Sequence, residues 1–331
     1  MEAFESCGYI EHGMVLDHLN RIRVCNNFNP RYGGRPIIYE NYIGQKIDWT
    51  DFFRIKRELR KQCREGKCPE LCTNCVGLST KEWDDDDYID YLLLTPWVPC
   101  NSKCIYCAAP RDKYVLENTK IYKVLPLVKD MIKNNILKKD GIIDFAGGEP
   151  TIYKEFEALL HEFIKNDFRK IVIHTNAIKK SNSIIKGLKK GVIRILVSID
   201  AGSKEVHEKV KQVKSYDKVW KTLKEYAKAQ PKGADNVKAK YIIVPGVNDS
   251  EEEINLWLEK CNEINIKSVV LNLDFNWIME NVDGELMPLY DLLQFTMKRA
   301  DELGMNCERY GQIYQVQCEV EKRRKQNIAG F

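Results

Sequence analysis

Residues 91–107 read YLLLTPWVPCNSKCIYC. The first part is a continuous apolar run that ends in Pro-Trp-Val-Pro, the pattern of a strand buried on both faces. The chain then turns directly into Cys100, Cys104 and Cys107, spaced by three and two intervening residues. Three thiolates on one short loop can wrap a small metal cluster, because thiolates are the ligands of iron–sulfur centres. A cubane held by three cysteines keeps one iron open, as an open position marks a catalytic metal site. Structural zinc would need a fourth ligand close by, and no Cys or His follows before His161. The loop therefore points to a [4Fe–4S] cluster with catalytic purpose.

Working outward, strand-like runs alternate with amphipathic stretches. Strands are predicted at Tyr88–Pro96, Ile142–Ala146, Ile171–Thr175, Ile193–Ile199, Lys238–Val244 and Ser268–Asp274. Helices are predicted at about Ile121–Asn134, Lys154–Asn166, Ser181–Lys190, Tyr216–Ala229, Glu251–Ile264 and Pro288–Leu303, with Ser250 and Glu253 forming a capping box. Six βα units in series imply an α/β fold with a parallel sheet, either a partial (βα)6 TIM-like barrel or a doubly wound sheet. Functional residues then belong at the carboxyl ends of the strands.

The acidic run Trp83–Asp87, WDDDD, reads as a solvated connector. It divides the chain into a cysteine-rich N-terminal extension (1–82), the barrel (88–280) and a covering C-terminal helix and tail (281–331). The extension shows one helix, about Trp49–Gln62, with Phe52, Phe53, Ile55 and Leu59 on one face and Thr50 as N-cap. A net charge of +4 over 331 residues gives no reason to expect a nucleic acid or membrane partner. No apolar run approaches a bilayer span, and Met1–Ile10 carries Glu2 and Glu5 rather than an export signal, so a cytoplasmic protein is expected. Twelve cysteines in such a chain suggest metal more than disulfides.

A CxxxCxxC loop after the first strand, with aromatic Tyr106 before the last cysteine, resembles the signature of radical S-adenosylmethionine (radical SAM) enzymes. Gly147-Gly148-Glu149-Pro150, at the end of the second strand, resembles that family's GGEP motif. The resemblance implies a partial barrel whose open iron chelates the methionyl group of S-adenosylmethionine (SAM). One electron then yields methionine and a 5′-deoxyadenosyl radical that removes a substrate hydrogen. It also implies SAM contacts at Tyr106, Gly147, Gly148, Glu149, Pro150, Thr175, Asn176, Ser198 and Asp200. Lys211 falls where relatives often carry an arginine for the SAM carboxylate; a solvated helix lysine is the alternative. The fifth strand, Lys240–Asn248, with its apolar backbone and Pro245-Gly246 turn, resembles the stretch that packs on adenine. A low-potential flavodoxin or ferredoxin is the implied electron donor.

Cys7, Cys25, Cys72 and Cys75 form a two-plus-two set suited to a tetrahedral site, with Cys68 as a substitute and Cys63 also nearby. The segment resembles the SPASM or twitch extensions that hold auxiliary clusters, although it precedes the barrel. A second [4Fe–4S] cluster is expected there, and structural zinc is the alternative. Cys261 reads as helix packing. Cys307 and Cys318 would lie near the barrel mouth if the C-terminus folds back. Net oxidation through the auxiliary cluster is the leading reaction, with epimerisation by a cysteine hydrogen donor or a non-catalytic zinc-stabilised binding module as alternatives. Peptide, carbohydrate or another small molecule remains open as substrate.

Overall fold

The structure is a computed structural model that describes residues 6–26, 36–72, 75, 79, 81–107, 122–274, 277 and 287–309. The chain forms two compact units: Met1–Pro99 with Asp112–Ile173, and Cys100–Arg111 with His174–Phe331.

In the first unit the central strand is β4 (Ile89–Thr95), with Leu92, Leu93 and Leu94 all buried. A strand with no exposed face needs cover on both sides, which crossover helices supply. It pairs in parallel with β5 (Leu137–Phe145), and β5 with β6 (Lys170–Thr175). Helices α3 (Leu125–Lys133) and α4 (Phe156–Lys165) make the crossovers. On its other edge β4 pairs in parallel with β1 (Gly13–Asp17), from Gly13↔Tyr91 to Asp17↔Thr95. Antiparallel β2 (Arg21–Arg23) and β3 (Ile37–Glu40) follow. The sheet thus extends into residues read from sequence as an irregular extension. The five residues of β1 are buried throughout, including Asp17, whose carboxylate is held by the Leu19 and Arg21 amides and by Arg21 and Arg23.

The short α1 (Gly8–His12) precedes β1, and α2 (Trp49–Arg64) is the helix predicted in the extension. Its N-cap is Asp48, not Thr50: Asp48 accepts from the amides of Thr50 (2.9 Å) and Asp51 (3.3 Å). Nor is the acidic run merely solvated. Asp85 pairs with Arg64 (2.6 Å) and Arg60 (3.3 Å), Asp87 with Arg57 and Arg60, and Asp84 with His12 (3.1 Å). Four like charges tolerate one another because α2 presents three arginines on one face.

In the second unit β7 (Ile193–Ser198), β8 (Val237–Ile243), β9 (Ser268–Leu273) and β10 (Asn306–Arg309) lie side by side, all parallel. Helices α5 (Asn182–Lys189), α6 (Lys204–Lys211), α7 (Tyr216–Ala229), α8 (Glu251–Glu263) and α9 (Met287–Glu302) accompany them. Helix α6 has eight residues and was not predicted as an element. From β4 to β6 and from β7 to β10 the strands are adjacent in chain order, without the reversal of a doubly wound sheet.

The capping box at α8 is only half formed. Ser250 accepts from the Glu253 amide at 3.2 Å. The Glu253 carboxylate instead accepts from the amides of Gly202 and Ser203, both at 2.7 Å, and from the Ser203 hydroxyl at 3.1 Å. It thereby fixes the turn that launches α6. Glu253→Ala should cost about 1–3 kcal/mol in urea unfolding by orphaning buried donors; Glu253→Gln, which keeps an acceptor oxygen, should cost less.

Candidate functional site

The loop Cys100–Cys107 is seated on the last turn of α6. The Lys103 amide donates to the Lys211 carbonyl (3.0 Å), the Ile105 amide to the Val210 carbonyl (2.9 Å) and the Ser102 hydroxyl to the Lys211 carbonyl (3.1 Å). A helix C-terminus leaves its last carbonyls without intrahelical donors, and this loop satisfies two of them. The Cys107 amide closes a turn on the Cys104 carbonyl at 3.1 Å. Cys100 is exposed, while Cys104 and Cys107 are half-buried.

Polar side chains reach the sulfurs. The Asn176 amide lies 3.6 Å from Cys100 Sγ and donates to Asn101 Oδ1 at 2.7 Å, while its own Oδ1 accepts from the Ile178 amide. The Ser102 hydroxyl lies 3.2 Å from Cys104 Sγ. Thr175, one residue before Asn176, accepts from the Ala177 amide through Oγ1 (3.0 Å) and so shapes the exit of β6. Asn101 and Ser102 were not singled out from sequence; they sit between the cysteines and look like filler there.

Beneath the loop lies a buried ion pair. Lys211 is 2% exposed and Asp200 fully buried, and the Lys211 ammonium donates to Asp200 Oδ2. Tyr106 Oη donates to the same oxygen at 2.6 Å and accepts from Lys211 at 2.9 Å. Asp200 Oδ1 accepts from the Ile242 amide at 2.7 Å, and Asn248 holds the Asp200 carbonyl at 2.9 Å. Burial opposes the charge of Lys211, but the Asp200 carboxylate outweighs it, so the ammonium is held above the ordinary lysine range. Burial, and then Asp200, push Tyr106 well above the usual phenol range, so it stays a donor. Lys211 is therefore not a solvated helix lysine. Asp200 adopts φ +59, a left-handed conformation that its own hydrogen bonds maintain. Nearby His207, held between the Ile199 carbonyl and Ser215, is driven down to about 4 by burial and then by Lys211, so it is neutral. Ser198 is half-buried at the last residue of β7.

In the first unit, Gly147-Gly148-Glu149-Pro150 packs against the exit of β4. Gly147 has φ +95, and a Cβ on Gly148 would lie 2.3 Å from the Pro99 carbonyl oxygen, so neither position suits a side chain. The Gly148 amide donates to Trp97 O (3.3 Å) and the Glu149 amide to Pro99 O (3.0 Å). Glu149 is buried, and its Oε1 accepts from the Thr151 amide (3.1 Å) and hydroxyl (2.6 Å). That oxygen caps the turn Pro150–Ile152.

The pattern of these residues is matched by known proteins. Residues 94–258 fit the family model described as the Radical SAM superfamily. These residues form a radical SAM domain. The chain is similar to the GTP 3′,8-cyclases of Clostridium botulinum (27% identity; 55% of this chain, 56% of that one) and Clostridium acetobutylicum (30%; 53% and 55%). The match spans about half the length of these curated relatives. In fold it resembles Streptococcus suis SuiB bound to precursor peptide SuiA, with a TM-score of 0.53 at 16% identity, over 90% of this chain and 71% of that one. The fold class is accordingly the partial TIM-like barrel of radical SAM enzymes, a family that works with a [4Fe–4S] cluster and SAM.

Outside the radical SAM domain, the structure joins Cys63 to Cys68 in a disulfide, so Cys68 does not substitute in the N-terminal set as the structure stands. Cys7 and Cys72 are buried together with Ile10 and Val24, and Cys25 packs against them. Among the described residues, no group of three or more His, Cys, Asp or Glu side chains stands ready-made to hold a metal ion. That is as true of Cys100, Cys104 and Cys107 as of the N-terminal cysteines, so the test of fit is donor chemistry. Three thiols on one loop, with polar side chains at the sulfurs of Cys100 and Cys104, fit an iron–sulfur cluster. Among the described residues no helix is long and apolar enough to cross a membrane.

Cys261 is buried packing on α8, as expected. Cys307 is not at the strand ends where the mouth was expected. It pairs with Val269 near the start of β9, four residues before Leu273 and about 13 Å from the carboxyl end of that strand. Cys318 lies outside the described residues, as does the basic tail. Lys211→Met should destabilise the protein by about 3–5 kcal/mol, because it strands a buried carboxylate. Adding Asp200→Asn should recover part of that loss in a double-mutant cycle of urea midpoints; strict additivity would contradict a direct pair.

Proposed function

We propose that this radical SAM enzyme catalyses a net two-electron oxidation, with its [4Fe–4S] cluster held by Cys100, Cys104 and Cys107. The observation that carries this reading is the seating of the cysteine loop: its amides bond the end of α6, and it brings Cys100, Cys104 and Cys107 onto one short loop. When bound there, the cluster and SAM supply a low-potential electron and a 5′-deoxyadenosyl radical that removes a substrate hydrogen. The chain's own residues do the rest. Tyr106, Lys211 and Asp200 fix the loop from below. Asn176 donates toward Cys100, and Ser102, whose hydroxyl donates to the Lys211 carbonyl, sits beside Cys104; hydrogen bonds to cluster sulfurs would tune the cluster's potential. The SAM contacts follow the family resemblance: the Gly147–Pro150 turn, Thr175, Asn176 and Ser198, with Tyr106, Asp200 and Lys211 acting chiefly as positioning residues.

After hydrogen abstraction the substrate must lose an electron or regain a hydrogen. A thiol donor at Cys307 is disfavoured by its place at the start of β10. Cys7, Cys25, Cys72 and Cys75 would hold the alternative, a second [4Fe–4S] cluster that would supply an electron acceptor, the proton then leaving to solvent. The substrate thus loses two hydrogens, one as an atom to the 5′ carbon and one as an electron and a proton. A flavodoxin or ferredoxin delivers the priming electron in the cytoplasm. The substrate is a peptide, a carbohydrate or another small molecule. The likeness to GTP 3′,8-cyclases lies in the part of the chain that carries SAM chemistry, so it bears on the radical step rather than on the substrate.

Reduced, reconstituted protein should convert SAM to 5′-deoxyadenosine and methionine, and replacing Cys100, Cys104 and Cys107 together with Ala should abolish it. Product from the triple variant above background would remove the cluster assignment. With substrate in deuterated water, the product should be two hydrogens lighter. A product of unchanged composition that carries solvent deuterium at the reacting carbon would replace oxidation by epimerisation.

A further inference from the structure

The chain's small net charge of +4 conceals a strong separation of charge. Residues 179–232 carry fourteen lysines and one arginine against five carboxylates, net +10, which leaves the rest of the chain at −6. Arg194 and all these lysines except Lys211 are exposed. Most of them lie on α5, α6 and α7, and α7 packs against both of the others. Lys180, just before α5, pairs with Glu225 on α7 at 2.7 Å, and Lys204 on α6 pairs with Asp217 on α7 at 2.7 Å. With Asp200 held by Lys211, three of the five carboxylates are already engaged. On the outer face of α7, Lys218, Lys221 and Lys224 stand three residues apart, and among the described residues none of them makes an ion pair. Like charges at that spacing repel, so the fold itself gains nothing from them.

This basic layer borders the cysteine loop. Helix α6 ends at Lys211, whose carbonyl receives the Lys103 amide, and exposed Lys103, Lys209 and Lys214 stand in the segments that meet there. The layer offers charge without an apolar anchor. Among the described residues the exposed large apolar side chains are Leu19, Ile37 and Ile142, none of them on these helices, so there is no wedge for a membrane interface. Nor is a ring presented for base stacking: Tyr216 and Tyr226 are buried, and the Lys260 ammonium lies 5.8 Å from the centre of the half-buried Trp220 ring. What remains is long-range attraction for a negatively charged protein surface, which raises the encounter rate without tight binding. Electron-transfer encounters are of this small, transient kind.

We propose that the basic layer of α5, α6 and α7 docks a small acidic one-electron donor protein beside the Cys100 loop. This rests on the function proposed above, which needs a priming electron from outside, and adds the surface through which that electron enters. A single electron crosses: the donor is oxidised by one equivalent and the cluster on the Cys100 loop is reduced by one. Electron transfer weakens steeply with distance, and the seat of that loop on the end of α6 puts its ligands next to the docked face.

Reduced flavodoxin is the probe donor, and the full, reconstituted chain is the acceptor. The rate constant of their encounter, read by stopped flow, should fall steeply as salt rises, because salt screens the attraction. Lys214→Glu, Lys218→Glu and Lys221→Glu together should lower it about tenfold at low salt and flatten its salt dependence, while formation of 5′-deoxyadenosine with dithionite stays unchanged. Lys133→Glu with Lys154→Glu, both exposed on the first unit, should leave the rate at the parent value. A second readout needs no cluster. Oxidised flavodoxin, titrated calorimetrically into the metal-free chain with Cys100, Cys104 and Cys107 changed to Ala, should bind more weakly once the three lysines are reversed. Lys214→Gln, Lys218→Gln and Lys221→Gln give a second set, with a smaller loss, should the reversed set fail to fold. Unchanged rate and unchanged binding in these variants overturn the docking surface and leave the proposed function standing. Loss of binding to phosphatidylserine vesicles or to single-stranded RNA, with the flavodoxin rate intact, overturns it in the same way. A parent chain that yields no 5′-deoxyadenosine with dithionite overturns the proposed function and the docking surface with it.

Discussion

The second unit depends on the buried pair between Lys211 and Asp200. It brings the end of α6 to the end of β7, and the cysteine loop rests on that helix end. A single oxygen, Asp200 Oδ2, receives both Lys211 and Tyr106, while Oδ1 holds the Ile242 amide at the end of β8. One carboxylate therefore ties together two strands, one helix and the loop. A buried ion pair of this kind adds little net stability against an apolar core, but it is costly to break. It suits a loop that must hold three thiols in fixed register while one of them, Cys100, faces solvent.

Much of this was legible in the sequence because the relevant signals are local. Cysteine spacing places three donors on one loop whatever the rest of the chain does. The alternation of apolar runs gave all six strands of the βα series to within a few residues, apart from the early start of β5 at Leu137. What could not be read depends on contacts between distant residues. Strand β1 is five residues long and becomes a strand by pairing with β4 on one edge and β2 on the other. Glu253 has the spacing of a capping box, yet its carboxylate is drawn to Gly202 and Ser203, about fifty positions away. Lys211 looks like any lysine near a helix end until Asp200 is found beneath it.

The same lesson applies to charge. The run Asp84–Asp87 reads as a hydrated linker, but α2 lays Arg57, Arg60 and Arg64 along it and His12 closes its near end. That arrangement accounts for Arg60; Lys56, four residues earlier on the same helix, donates instead to the Gly13 and Tyr9 carbonyls and makes no ion pair among the described residues. The first unit is thus more than a cysteine-rich appendix. It pairs β1 with β4, and it buries Cys7 and Cys72 in one apolar cluster with Ile10 and Val24.

The central claim is that the Cys100 loop binds a cluster with one iron open to SAM. Electron paramagnetic resonance of the anaerobically reduced protein, recorded before and after adding SAM, tests it most directly. The account predicts that SAM changes the g-values of one reduced cluster, and that the change disappears when Cys100, Cys104 and Cys107 are replaced. A reduced spectrum identical with and without saturating SAM would contradict it.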